Sequence, residues 1–427
     1  MIEIPEKIKE RIAFYSPKLE KYPKLQSMYQ KAFVHTLTAS TKRCNDGTYY
    51  IVTGDIPAMW LRDSSAQVHH YIPLSKDDEV AEILEGLLRR QLMYIEIDPY
   101  ANAFNEEANG AGDEGDYPPK NKWVWERKYE IDSICYPMRL LYMYWRESGR
   151  TDLIQSRMEK IATIILDLWE TEQYHMEKST YRFIRNTTNE MDTIPGNGMG
   201  SPVVPTGMTW CGFRPSDDGC RYGYYIASEM FAVVVLGYMS EMLREVCNNQ
   251  ELADRCIKLR DEIDEGIKKF GTVEHPKYGQ IYVCETDGMG NCVTYDDANI
   301  PSLLSIPYLG YADKTDPIYQ NTRRFLLSKD HKYYYEGKFA KGIGSSHTPE
   351  NYVWHMAIVM QGLTSCDDQE KREVLDMLAR TDADTGYLHE GFHVDDPWQY
   401  TRWWFTWPNS LFAEYIEKCI EEGLFDE

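Results

Sequence analysis

Paired cysteines, phosphate-binding glycine loops and basic stripes are missing from this chain, and each absence argues against a class of function. The ten cysteines, Cys44, Cys135, Cys211, Cys220, Cys247, Cys256, Cys284, Cys292, Cys366 and Cys419, form no C-x-x-C pair and show no paired zinc spacing. Cys135 and Cys256 fall inside apolar helical patterns, which predicts mostly buried free thiols in a reducing compartment. No G-x-G-x-x-G opens a βαβ unit, and neither G-x-x-x-x-G-K-[ST] nor a G-x-S-x-G elbow occurs. Nucleotide folds and serine-hydrolase elbows are therefore not signalled. Lys and Arg number 46 against 68 Asp and Glu, a formal charge of −22. A phosphate-binding surface needs a basic stripe, so nucleic acid is not an expected partner. The opening Met1-Ile-Glu-Ile-Pro-Glu-Lys-Ile-Lys-Glu10 lacks the apolar run of a signal peptide, and no run approaches a membrane span. The expectation is a cytoplasmic protein with no membrane partner.

Aromatic residues and helical periodicity are abundant. Of 427 residues, 43% are hydrophobic and 13% aromatic, with 32 Tyr and 11 Trp. Such side chains suit a large core, and their flat faces with polar tips also suit carbohydrate. Ser75 is expected to cap a helix bearing Val80, Ile83, Leu84, Leu87, Leu88 and Leu92. Further helices are predicted over 132–147, with Pro137 a kink point, from Thr151, over 224–246 and over 251–270. Shorter ones fit 317–327, 351–363, 371–378 and 410–421. Strand signals are limited to Thr48–Thr53 and Gln280–Cys284. No Gly/Ser-rich linker or long charge run divides the chain. Residues 1–427 read as one all-α domain of stacked helix hairpins, with loops gathered at one end where a pocket can form.

Those loops carry the unusual residues. Thr53-Gly-Asp-Ile-Pro-Ala-Met-Trp-Leu-Arg-Asp-Ser-Ser-Ala-Gln67 offers Asp55, Trp60, Arg62, Asp63, Ser64 and Gln67. A helix N-terminus uses one or two such groups as caps. Five beside a tryptophan are the equipment to grip one sugar ring through forked hydrogen bonds and ring stacking. Phe213-Arg-Pro-Ser-Asp-Asp-Gly219 places two carboxylates on one turn. Tyr295-Asp-Asp-Ala-Asn-Ile-Pro-Ser302 is a second acidic turn. Gly342-Ile-Gly-Ser-Ser-His-Thr-Pro349 and Leu388-His-Glu-Gly-Phe-His393 follow, the last shortly before the aromatic run Trp398 to Trp407.

Glycosidic cleavage needs one carboxylic acid to protonate the leaving oxygen and a second carboxylate on the opposite face. The Asp217/Asp218 pair and Glu390 are candidates, because like charges and burial shift carboxyl protonation. A capping turn and a surface acid would account for the same spacings equally well. The acidic loop from Asn105 to Asp116 reads as polar and mobile, and it lacks the residue order of a calcium loop. His389-Glu-Gly-Phe-His393 matches H-E-x-x-H, but Gly391 inside it and Asp395-Asp-Pro397 after it argue against the helix a zinc site requires.

The block Thr53-Gly-Asp-Ile-Pro-Ala-Met-Trp-Leu-Arg-Asp-Ser64 resembles the signature of glycoside hydrolase family 125. Arg214-Pro-Ser-Asp-Asp218, Ala298-Asn-Ile-Pro-Ser-Leu-Leu-Ser-Ile-Pro-Tyr308 and Gly342-Ile-Gly-Ser-Ser-His347 resemble further blocks in the same order. The resemblance implies an (α/α)6 toroid. It also implies an exo-acting, inverting α-mannosidase that removes terminal α-1,6-linked mannose from an oligosaccharide, without metal or other cofactor. By motif it implies Asp218 as general acid and Glu390 as general base. Arg62 and Asp63 would hold mannose hydroxyls, with Asp55, Trp60, Asn299 and His347 as further pocket residues. Ser346 stands where the family form Gly-Ser-Pro-His has proline, a departure confined to that turn. Related toroids host epimerases and polysaccharide lyases, and a binding-only protein could keep the aromatic pocket, so these remain alternatives.

Overall fold

The computed structural model describes residues 2–112 and 115–426. After a leading helix α1 (Glu6–Tyr15), helices alternate between an outer and an inner layer. The outer helices are α2 (Pro23–His35), α4 (Asp78–Ile97), α6 (Asp152–Glu172), α8 (Gln250–Phe270), α10 (Pro317–Leu326) and α12 (Asp368–Arg380). The inner ones are α3 (Leu61–Ala66), α5 (Ile131–Ser148), α7 (Ile226–Glu245), α9 (Ile306–Leu309, entered through the 3₁₀ turn Leu303–Ser305), α11 (His355–Leu363) and α13 (Trp407–Glu421). Each inner helix packs on the next, and α13 returns to α3, so the six hairpins close into an (α/α)6 toroid. At the seam Arg11 forks onto the Glu417 carboxylate, and the Tyr29 hydroxyl donates to the same group at 2.8 Å.

Local sequence explains the two layers. In α8 the Asn249 side chain accepts from the Leu252 N–H, and Ala253, Cys256, Leu259, Ile263 and Ile267 form one buried stripe. Burying each large aliphatic side chain contributes roughly 1.5–3 kcal/mol. Inner helices lack a polar face. Every residue of α11 is buried, and α7 is buried on more than one side. That burial corrects the expectation that no run approaches a membrane span: α7 is long and apolar enough for one, but its apolar surface packs on α5 and α8.

Two further expectations change. The cap of α4 is Asp77, whose carboxylate accepts from the Glu79 and Val80 N–H groups, while Ser75 ends the preceding turn. Strand content is also larger than two short stretches. Six sheets of two or three strands lie among the described residues, built from pieces of two to five residues. Pieces that short cannot show the alternation that betrays a strand. Of the acidic loop 105–116, Asp113 and Glu114 lie outside the described residues. Its Asp116 is ion-paired to Arg185, and the Asn105 amide donates to the Ala111 and Lys122 carbonyls.

The inner helices share one direction, so the loops leading into them meet at one end of the ring. Those loops are the segments that carry the carboxylate, arginine and tryptophan clusters.

Candidate active site

The first and last of these loops form one wall, although more than 300 residues separate them. Gly54 pairs with Phe405 in a β-bridge, and the Asp55 N–H donates to the Trp404 carbonyl at 3.0 Å. The approach is so close that a Cβ on Gly54 would sit 2.1 Å from that carbonyl oxygen, at φ +136°, where glycine alone fits. Arg402 then donates from Nε to Asp55 Oδ1 at 2.7 Å, which aims its guanidinium inward.

Behind this wall lies a small cavity of about 90 Å³. Trp60, Arg62, Asp63, Asn299, His347 and Glu390 all line it, together with Asp217, Ser216, Trp354, Arg402 and Phe405. Two predicted residues stand one step back: Asp55 holds Arg402, and Asp218 contacts the strap that carries His347. Asn299 is partly committed, since its amide donates to the Pro215 carbonyl at 2.8 Å and so ties the second acidic turn to the first.

Arg62, in the first turn of α3, is the electrostatic centre of the floor. Its NH1 donates to Glu130 Oε2 at 2.6 Å and Asp132 Oδ2 at 3.1 Å, its Nε lies 3.4 Å from Asp63, and its NH2 lies 3.7 Å from Asp217. Crowding four carboxyl groups around Arg62 disfavours charging all of them. Burial lifts Asp63 to about 6 against the pull of Arg62, and burial also raises Glu130 and Asp132. Glu130 and Asp132 were not legible as site residues, because an N-cap position and a first-turn aspartate look like ordinary helix punctuation. Replacing Arg62 by Met should strip the counter-charge from this cluster and cost about 3–5 kcal/mol of stability. Urea unfolding measures it, and wild-type stability in the variant would contradict the cluster's role.

The neighbouring aspartates diverge. The turn closes through the Asp217 N–H donating to the Arg214 carbonyl at 2.9 Å, and Asp217 takes φ +66°, a left-handed conformation that aspartate tolerates. Asp217 accepts from Trp60 Nε1 at 3.3 Å and Asn102 Nδ2 at 3.2 Å. Burial acts to raise its pKa, but Arg62 and Lys128 outweigh it and hold the carboxyl at about 2, ionised at neutral pH. Asp218 turns the other way, accepting from the Ser346 hydroxyl at 2.7 Å and facing His347 Nδ1 at 3.5 Å. That hydrogen bond to Asp218 lifts the His347 imidazolium to about 9 against burial, with Glu390, Asp218 and Asp217 adding their charges.

Glu390 lines the same cavity, just before the strand Gly391–His393, which pairs with Tyr352–Trp354. The Thr401 hydroxyl donates to Glu390 Oε2 at 3.0 Å, and Arg402 NH1 lies 3.8 Å from Oε1. Burial pushes the Glu390 carboxyl up, while Arg402, His347 and the Thr401 hydroxyl oppose it. Thr401 and Arg402 were missed among the aromatic residues of the 398–407 run, since a Thr-Arg pair there carries no spacing signal. The H-E-x-x-H match does not form a helix. His389 stacks on Tyr400 with ring centroids 3.7 Å apart, and His393 Nδ1 accepts from the Asp395 N–H. Among the described residues no group of three or more His, Cys, Asp or Glu side chains is arranged to hold a metal ion.

A family model described as metal-independent α-mannosidase (GH125) matches residues 22–417. The chain is 36% identical over 390 residues to the meiotically up-regulated gene 157 protein of Schizosaccharomyces pombe, covering 87% of this chain and 76% of that protein. Among solved structures, a metal-independent α-mannosidase of Streptococcus pneumoniae, determined as a non-productive complex with α-1,6-mannobiose, superposes with a TM-score of 0.96 at 43% identity, over 99% of this chain and all of that one. A bacterial glucoamylase shares the fold alone, with a TM-score of 0.64 at 14% identity over 94% of this chain and 56% of that one.

Proposed function

The chain belongs to glycoside hydrolase family 125, the metal-independent α-mannosidases, and from that premise we propose an exo-acting, inverting α-1,6-mannosidase. The observation that carries this reading is one cavity lined by Glu390 and Asp217 with Trp60, Arg62, Asp63, Asn299 and His347, with Asp218 one step behind against His347. The terminal mannose occupies that cavity. Asp218 donates its proton to the glycosidic oxygen as the C–O bond breaks. Glu390 takes a proton from a water that attacks the anomeric carbon from the opposite face. Each turnover consumes one water and releases mannose with inverted configuration. Asp217, held ionised, is unsuited to donate a proton and accepts hydrogen bonds from sugar hydroxyls instead. Arg62 and Asp63 fix the ring.

One feature supports exo action. Tyr136, Arg139, Tyr308 and Trp407 fill the ring axis beyond the cavity and leave a void of about water size. A cavity closed at its base fits a chain end. The relative crystallised with α-1,6-mannobiose supports the linkage, and the N-linked glycans named with that structure suggest mannose-terminated glycan fragments as natural substrates. The whole chain acts as one catalytic unit, because α2 and α13 complete the ring. A cytoplasmic location fits ten free cysteines, including Cys211 and Cys220 with sulfurs 3.9 Å apart.

Incubation with α-1,2-, α-1,3- and α-1,6-mannobiose tests the reading. Mannose release from the α-1,6 isomer should exceed that from the others by about 100-fold, a difference of roughly 2.7 kcal/mol in transition-state binding. Equal release from all three, or none from the α-1,6 isomer, would overturn the linkage assignment.

A further inference from the structure

We propose that Ser346 is a positioning residue for the general acid: its hydroxyl fixes which oxygen of Asp218 faces the scissile bond. The inference rests on the assignment of Asp218 made above. Ser346 lies on a strap, residues 344–349, that leads toward the inner helix α11, with Ser346 and His347 exposed and Ser345 buried. The strap is held in shape by its own bonds. The Ser345 hydroxyl accepts from the His347 N–H at 3.1 Å, and Thr348 accepts from Trp354 Nε1 at 3.0 Å. It crosses above the aspartate turn so that Ser346 Oγ donates to Asp218 Oδ2 at 2.7 Å.

Oδ2 is thereby occupied from the solvent side. Oδ1 is left on the side of the cavity-lining His347, at the long distance of 3.5 Å, a contact that an incoming glycosidic oxygen can replace. A serine hydroxyl both donates and accepts, so it can hold the carboxyl in one rotamer before and after proton transfer. The other charged groups facing Asp218 are His347 on the strap, Asp217 beside it in the chain, Asp297 from the second acidic turn, and Glu390 across His347. Among the described residues, Ser346 alone donates a hydrogen bond to Oδ2. The Ser216 hydroxyl donates to Asp297 at 2.9 Å and steadies the turn from below.

The sign of the effect follows. A donated hydrogen bond favours a carboxylate over its protonated acid. In Ser346→Ala the basic limb of the kcat/KM profile should move up by about 0.5–1 pH unit. Turnover of α-1,6-mannobiose should fall roughly three- to thirtyfold, the range of one such hydrogen bond. With 2,4-dinitrophenyl α-mannoside, whose phenolate leaves without protonation, turnover should change less than about twofold. Ser346→Thr keeps the hydroxyl and should restore the wild-type limb. An unmoved limb, equal losses on both substrates, or a Thr variant no better than Ala would overturn the proposal. Asp218→Asn, run in parallel, separates the two levels. If it retains mannobiose turnover, the assignment of Asp218 fails. If it loses turnover while Ser346→Ala behaves as wild type, the role of Ser346 alone fails.

Discussion

Glu390→Gln should lose about 10²–10⁴-fold in turnover of α-1,6-mannobiose while binding the disaccharide within about threefold of the wild-type affinity. Glutamine keeps the shape and the bond to the Thr401 hydroxyl but cannot accept a proton from water. Its neighbours already hold the wild-type group in place: Thr401 donates to one oxygen, and Arg402, itself clamped by Asp55, lies near the other. The loss should therefore sit in kcat and leave KM nearly unchanged. Stopped mannose release and calorimetric binding measure the two quantities separately. A variant that turns over at near-wild-type rate would remove Glu390 from the chemistry.

Asp218→Asn should lose as much on the disaccharide but less than about tenfold on 2,4-dinitrophenyl α-mannoside, because a leaving phenolate needs no general acid. Asp217→Asn should behave differently. Asp217 accepts from Trp60 and Asn102 and faces Arg62 as an anion with a pKa of about 2. Its replacement weakens the grip on the sugar and should depress both substrates alike. If the dependence on leaving group appears in Asp217→Asn instead, the two aspartates exchange roles.

Much of this site was legible along the chain, because the residues cluster in short loops that no core requires. The span Thr53–Gln67 supplied Trp60, Arg62 and Asp63, all lining the cavity. Helix positions were legible for the same reason that α8 is stable: its apolar stripe repeats over five turns and stops at Gly271. Contacts made only by ring closure were not legible. Nothing near Glu130 announces that its carboxyl will meet Arg62, and nothing near Thr401 announces Glu390. Gly54 is a similar case, a glycine whose necessity comes from the Trp404 carbonyl more than 300 residues away. The opposite orientations of Asp217 and Asp218 depend on a left-handed residue within the turn, which spacing alone does not encode.

The epimerase, lyase and binding-only alternatives lose their footing once the chain is placed among the metal-independent α-mannosidases. Arg62 shows how the site joins stability to function. The same guanidinium that neutralises buried Glu130 and Asp132 also lies against Asp63 and Asp217 in the pocket.

Two opposed acids separated by a water, rather than an acid and a nucleophile in contact, is the claim on which this mechanism stands. Proton NMR of α-1,6-mannobiose hydrolysis, recorded before mutarotation mixes the anomers, addresses it directly. β-Mannose should be the first product. α-Mannose appearing first would mean a double displacement through a covalent intermediate, and would contradict the roles given to Asp218 and Glu390.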